Sequence, residues 1–424
     1  NRLVKTGLNY SFASSLASVF SMMVSMLTMM WLGPEILGVW QSVFLINAYL
    51  PFMQLGIQSG LNNQLPIYLG QSKTELAKQF IAAAKSFSVI ITAIIFIIGI
   101  ISIVVLYFLR VKVEIIAAVF TLVVIATSSS IRLHLIATYR SSGAFQKLTR
   151  IKYIEAFLIV TLAVLIKVFS FYGLLIYNGL NFLIVTILMI RDAPYRKLKI
   201  SYDKIKLKEL LNQGLILMVF VQIKSFIDTI PRLLLLKIGG TVMVGLFSPV
   251  NSLSSMVNLI PSQLAQFLKP QFGYKYGETG RASDLWTYVK KMSIAMPIVI
   301  LLFSIGIYFV LPIIIVQFFP KYVDSILAVK IFSFGLPFSS FFIFQNIFFS
   351  IKAFKEVYYL IILQLICFLV LPLILYLSTN YKIMTIVAFT LSVSYFLVYI
   401  SSVFLLRYTM FLPKYNSVVS TDKN

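Results

Sequence analysis

Apolar runs of about 20 residues or more recur along the whole chain, separated by short polar turns. Each can cross a hydrocarbon core of roughly 30 Å as a helix rising about 1.5 Å per residue. The runs are continuously apolar and lack the period-two alternation of a barrel strand, so the pattern predicts helices. A bilayer core holds no water to satisfy bare backbone groups, which points the same way. Twelve spans are expected. They cover 8–32, 38–69, 86–109, 113–138, 153–169 and 171–190 in the first half. In the second half they cover 213–237, 241–268, 288–318, 325–351, 358–378 and 383–406. Only Phe169, Ser170, Phe171 and Tyr172 separate the fifth from the sixth. The first run is too long for a signal-peptide apolar region and has no small-residue cleavage site, so a retained helix is expected. The chain opens at Asn1 rather than at a methionine, and a short preceding piece is expected. The longest polar stretch, Arg191 to Gln213, is a loop.

Composition sharpens this picture. The chain is 60% hydrophobic yet carries a formal net charge of +23, so its cations must gather on one side of a membrane. Alternate loops, counted from the N-terminus, hold 26 lysines and arginines against 5 in the opposite set. By the positive-inside rule both termini are expected in the cytoplasm. Topology and attraction to anionic membrane lipid account for most of this charge. The basic segments are short, scattered and tied to membrane helices, which speaks against nucleic acid as a partner. One cysteine (Cys367) and one histidine (His134) exclude a disulfide framework and a multi-ligand Cys/His metal site. There is no P-loop or glycine-rich nucleotide fingerprint, and no cofactor is expected. Without large extramembrane loops to house catalysis, enzyme is the minority reading.

The two halves resemble each other. A shift of 207 positions aligns Gly7/Gly214, Gly33/Gly240, Gly38/Gly245, Gly70/Gly277 and Gly99/Gly306 without a gap. Leu8/Leu215, Leu61/Leu268, Gln64/Gln271, Phe96/Phe303 and Ile98/Ile305 agree too. The fold class expected is an all-α membrane protein of about twelve helices in two six-helix bundles. Residues 1–190 form the first bundle, 191–212 a cytoplasmic linker, 213–406 the second bundle and 407–424 a cytoplasmic tail. Six is even, so both halves enter the membrane in one orientation, related by an axis along its normal, with a substrate site between them.

Ionisable groups at membrane depth cost from about 3 to over 10 kcal/mol to bury in lipid, so they point to function. The seventh span carries Lys224, Asp228 and Arg232 at i, i+4 and i+8, along one face. Two cations to one carboxylate favour a water-filled cavity, with an intrahelical ion-pair ladder as the alternative. Arg132 and His134 lie in the fourth span, Lys330 in the tenth, and Glu155 starts the fifth. For Arg132 and Lys330, snorkelling to the nearer interface competes with a binding role; for His134 a packing role competes with proton transfer. Lys237 reads as an interface anchor. Amides add a weaker stripe: Gln54, Gln58 and Asn62 on the second span, Asn251, Asn258 and Gln266 on the eighth. Large amides can contact sugar hydroxyls, whereas the accompanying serines read as close helix packing.

Trp31-Leu-Gly-Pro-Glu-Ile-Leu-Gly-Val-Trp40 resembles the outer turn after the first helix of Wzx-type polysaccharide flippases, members of the MOP superfamily. Those proteins often show an aromatic where this chain has Leu37. Tyr139-Arg-Ser-Ser-Gly143-Ala-Phe-Gln-Lys147, Phe319-Pro-Lys-Tyr322 and Lys352-Ala-Phe-Lys355 are similar to further family motifs, in the same order. The resemblance implies a MATE-like pair of bundles in a bacterial inner membrane. Its cargo would be an undecaprenyl-pyrophosphate-linked oligosaccharide, as for O-antigen, moved outward by alternating access, with ion antiport expected. A polysaccharide polymerase and a chain-length regulator are further partners it implies. In that frame Lys224, Arg232, Arg132 and Lys330 would bind the anionic head, and Asp228, His134 and Glu155 would couple or orient. Gln54, Gln58, Asn62, Asn251 and Asn258 would line the cavity. A multidrug or small-solute antiporter on the same scaffold is the alternative.

Overall fold

A computed structural model describes residues 2–70, 73–258, 281–351 and 353–416, with isolated positions 261, 272 and 279. Ser262, Gln266, Leu268, Lys269, Gln271, Lys275, Gly277, Lys352 and Lys423 lie outside the described residues, as does most of 259–268 of the eighth expected span. The described residues form helices joined by short turns and loops, with no strand among them, and ten stretches are long and apolar enough to cross a membrane. This is a multi-pass membrane protein.

One of the ten stretches is two spans. Helix α6, Phe145–Asp192, has 48 residues and would reach about 72 Å if straight, over twice the hydrocarbon thickness. It breaks at Ser170, whose φ of 53° and ψ of −124° are not helical. Beside the break, a Cβ on Gly173 would sit 1.9 Å from the Leu165 carbonyl oxygen, so the two arms meet backbone to backbone. The break falls inside the four residues expected to separate the fifth and sixth spans.

The second expected span, 38–69, is not one helix. Helix α1, Arg2–Trp31, stops at the extended Gly33 (ψ 163°), and α2 runs Pro34–Phe44. Pro34 carries a preset φ and no N–H at a position where the N–H has no helical partner; Glu35 adds negative charge at the same end. The chain then tightens into a 3₁₀ segment, Leu45–Gln54, that contains Pro51. Two left-handed residues follow, Leu55 (φ 48°) and Gly56 (φ 79°), before α3, Ile57–Gly70. The apolar pattern could not reveal these breaks, because lipid-facing composition is the same on both sides of each.

Helices α4 (Thr74–Phe108) and α5 (Val113–Ser141) complete the first half before α6. Gly143, at φ 69°, turns the chain from α5 into α6 within the Tyr139–Lys147 motif. Ala144 N–H donates back to the Tyr139 carbonyl to close that turn, as left-handed glycines after helices do. Asp203 opens α7, Lys204–Leu246, by accepting from the backbone N–H groups of Ile205 and Lys206 at 3.0 and 3.1 Å. Helix α7 kinks at Gly240 (φ 72°), and α8 covers 248–258. Then come α9 (Trp286–Phe318), α10 (Ile326–Gly335), a 3₁₀ segment (Leu336–Ser340) and α11 (Phe341–Ser350). The last are α12 (Phe354–Leu365), a π-turn (Ile366–Val370) just before Pro372, α13 (Leu371–Ser378) and α14 (Ile383–Met410). The tenth expected span is thus also segmented, at Pro337.

The internal repeat reappears in element order. Gly33 and Gly240, 207 positions apart, each interrupt a long helix. The following long helices begin at Thr74 and Trp286, the latter after a 3₁₀ turn from Ala282. Each of these stretches is only 17% buried, the lowest share of the ten. Large side chains such as Phe96, Ile97 and Ile101 on α4, and Leu302, Phe309 and Ile313 on α9, are exposed, as on lipid-facing helices.

The chain divides into two compact units, Asn1–Thr229 and Ile230–Asn424. In the first, α1 lies along α6, α5 packs on both α4 and α6, and α3 rests on α4 and α5. Leu207 and Leu210 of α7 join its core with Ile57, Leu61, Phe80 and Ile81. Gly56 and Gly214 touch through their backbones: a Cβ on Gly214 would sit 1.9 Å from the Gly56 carbonyl oxygen. Residues 213–229, expected in the second bundle, therefore pack in the first unit, and the boundary falls inside α7. In the second unit, α10 to α13 all pack on α14, and α9 covers α10 and the 3₁₀ segment beside it.

Candidate functional site

Within the first unit, polar groups converge where the 3₁₀ segment 45–54 crosses α5. A cavity of about 220 Å³ is lined there by Asn47, Gln54, Ser129, Ser130 and Arg132, among apolar walls that include Leu50, Ile95 and Ile136. Pro51, which also lines it, helps hold this stretch out of α-helix, so the Gln54 side chain reaches α5. The buried Gln54 donates through Nε2 to Ser130 Oγ, and its Oε1 has no partner among the described residues. An amide oxygen with no partner inside a protein is costly; this one is closed to solvent, so a guest or water meets it only if the Gln54 side chain turns toward the cavity.

One turn on, the buried His134 donates from Nδ1 to Gln58 Oε1 at 3.3 Å. Gln58 Nε2 donates in turn to Ser88 Oγ at 2.6 Å and, more weakly, to the Ala84 carbonyl at 3.4 Å. These bonds tie α3, α4 and α5 together and consume the Gln58 amide. Gln58 and His134 are not among the residues lining the cavity, and Asn62 is exposed on α3.

Arg132 is the charged group on the cavity wall. Its Nη2 donates to Glu155 Oε1 of α6 at 3.2 Å, and its guanidinium carbon lies 5.2 Å from the centre of the Phe182 ring. The other Glu155 oxygen, Oε2, accepts from Lys152 Nζ at 2.6 Å. The side chains of Arg132 and Glu155 are 14% and 13% exposed, so this is a largely buried triad of two cations and one carboxylate. Arg132 and Glu155, chosen separately from the sequence, are partners here. Lys152 precedes the fifth expected span, and its i, i+3 spacing to Glu155 on one helix is the sequence signal for this partner.

Lys224, Asp228 and Arg232 fall on continuous helix in α7, around Pro231. Asp228 is exposed, Lys224 and Arg232 are half-buried, and Lys224 feels the charge of Asp228 one turn on. The unit boundary passes between Asp228 and Arg232. In the second unit, Lys330 Nζ lies 5.3 Å from the centre of the Tyr308 ring, a cation–π contact between α10 and α9. Asn251 is half-buried on α8. Asn258 donates to Ser254 Oγ at 3.2 Å, and that hydroxyl meets Tyr395 Oη at 3.2 Å. The described residues hold no group of His, Cys, Asp and Glu able to bind a metal ion.

No protein-family model matches the sequence, and no curated protein matches it either. Solved structures do. An inward-facing multidrug resistance MATE family transporter of the MOP superfamily superposes with a TM-score of 0.73 at 17% identity, over 94% of each chain. The fold is that of the MATE transporters. The outward-facing form of a multidrug resistance MATE family transporter gives a TM-score of 0.68, at 17% identity, over 96% of this chain and 95% of that one. A MOP superfamily transporter from Pyrococcus furiosus, whose binding pocket of reverse polarity suggests a different function, also gives 0.68, at 16% identity and the same coverage. At these identities the likeness extends to the fold and not to a substrate.

Proposed function

We propose that this chain is a flippase for an undecaprenyl-pyrophosphate-linked oligosaccharide, working by alternating access in a bacterial inner membrane with both termini in the cytoplasm. The observation that carries the reading is Arg132 on the wall of a cavity with a few polar groups among apolar ones, in a largely buried triad whose cations outnumber its carboxylate. Lys224, Asp228 and Arg232 repeat that two-to-one ratio on α7. Such sites suit a pyrophosphate, which binds Lys and Arg through charge-assisted hydrogen bonds. Asn47, Gln54, Ser129 and Ser130 offer the amides and hydroxyls that sugar hydroxyls pair with. In the second unit, Lys330 is a further cation suited to an anionic group, and Asn251 and Asn258 are amides suited to sugar hydroxyls. Asp228, His134 and Glu155 hold these groups in place or take the coupling ion. A polysaccharide polymerase and a chain-length regulator would act on the delivered product. The Pyrococcus furiosus transporter, whose reversed pocket polarity suggests a different function, supports the idea that pocket polarity and function vary on this scaffold.

A second reading, multidrug or small-solute antiport, is favoured by the multidrug resistance transporters among the structural relatives. The two are separated in a host lacking its own flippase and drug exporters. Restored surface polysaccharide without added resistance to toxic cations supports the flippase. Lys224→Ala, Arg232→Ala and Arg132→Ala should each abolish that restoration at unchanged protein levels in the membrane. Resistance without polysaccharide would establish the antiporter instead.

A further inference from the structure

We propose that Arg132 is an exchangeable anion hook: a phosphate-class group entering the cavity takes Arg132 from Glu155, and Lys152 keeps the released carboxylate neutralised. The inference rests on the anionic-substrate reading of this same cavity and adds the way the cavity is armed.

Three observations lead there. First, Glu155 divides its two oxygens between two cations, Oε1 to Arg132 at 3.2 Å and Oε2 to Lys152 at 2.6 Å. Lys152 holds the shorter contact from its own helix, so losing Arg132 leaves Glu155 paired. A buried carboxylate with one partner could not release it at comparable cost. Second, only Arg132 of the three lines the cavity. Glu155 accepts from one edge of a guanidinium with five N–H donors in a fixed fork, a geometry that matches phosphate oxygens in pairs. Third, the Phe182 ring lies against the guanidinium. A flat cation over an aromatic face can swing between acceptors while keeping that contact. The cavity, about 220 Å³, is smaller than the roughly 300–1,000 Å³ of pockets that enclose a drug-sized ligand. It fits a single charged group with its nearest hydroxyls. Resting, the hook is held by Glu155; loaded, it is held by the guest.

A static anion site would give the same signs by charge alone; the exchange adds couplings between the variants that charge alone does not. Glu155 competes with the guest, so removing its charge should strengthen binding. Lys152 supports the exchange, so removing it should weaken binding. The experiment is calorimetric titration of the full-length protein in detergent with inorganic pyrophosphate. Glu155→Gln should tighten binding by roughly tenfold, and Lys152→Ala should weaken it by a similar factor. In a Glu155→Gln background, Lys152→Ala should lose most of its effect, because no carboxylate is left to stabilise. In an Arg132→Ala background, Glu155→Gln should change nothing. Unchanged or weaker binding by Glu155→Gln overturns the exchange, as does pyrophosphate binding by neither the wild type nor Glu155→Gln. If Glu155→Gln does not fold, Lys152→Ala against wild type decides alone, and equal or tighter binding refutes the proposal. None of these titrations reads polysaccharide export, so a wrong cargo assignment and a wrong exchange mechanism show up in different assays.

Discussion

At the scale of single residues, the first unit spends its buried polar groups in two different ways. Gln58 and His134 satisfy each other and Ser88, which binds three helices together. Gln54 and Arg132 keep hydrogen-bonding capacity at the cavity. Gln58→Leu should therefore act on stability: it strands His134 and Ser88 without partners, at about 1–3 kcal/mol. A lower apparent melting temperature in detergent, with any pyrophosphate affinity retained, is the expected outcome. Gln54→Leu should do the reverse, removing an acceptor that has no partner at little cost in melting temperature while weakening guest binding. The amide stripe Gln54–Gln58–Asn62 was legible in the sequence, but its members divide between cavity, scaffold and surface. Spacing of four residues presumes one continuous helix, and Leu55 and Gly56 break that helix inside the stripe. The Arg132–Glu155 pairing was hidden for another reason: it spans two helices, and no local pattern reports such a contact.

At the scale of elements, helix breaks place the site. Pro51, with Leu55 and Gly56 after it, directs Gln54 toward α5, and Ser170 lets one long apolar stretch cross twice. Two substitutions should move stability in opposite directions. Ser170→Gly places the residue without a Cβ penalty at φ 53° and should raise stability by about 1 kcal/mol. Gly214→Ala drives a Cβ into the Gly56 backbone and should lower it by about 1–3 kcal/mol or more. Parallel melting curves of the two variants check both signs. Breaks at Gly33 and Gly240 could be read from the repeat, since glycine at matched positions is where a helix most cheaply turns. Those at Leu55 and Ser170 could not, because neither residue type favours a left-handed backbone.

At the scale of the whole molecule, hydrophobic run length without period-two alternation sufficed for a multi-pass helical protein, because only helices and closed barrels satisfy the backbone in lipid; the MATE-like arrangement came from the family resemblance, not from run length. The unit boundary was less legible. The polar composition of 191–212 says nothing of how Leu207, Leu210 and Gly214 carry the start of α7 into the first core. The 26-to-5 loop charge asymmetry predicts that a reporter fused after Asn424 works only if it requires the cytoplasm. Activity of a periplasmic reporter at that position would reverse the proposed direction of transport.

The central claim is that membrane-embedded cations move a pyrophosphate-linked oligosaccharide across the bilayer. It is tested most directly by purified protein in liposomes loaded with a fluorescent undecaprenyl-pyrophosphate oligosaccharide, scoring how much label becomes accessible to a membrane-impermeant quencher. The account predicts protein-dependent flipping that excess inorganic pyrophosphate inhibits and that the Arg132→Ala and Lys224→Ala/Arg232→Ala variants lack. Flipping at the rate of protein-free liposomes by the wild type, or undiminished flipping by both variants, would contradict it.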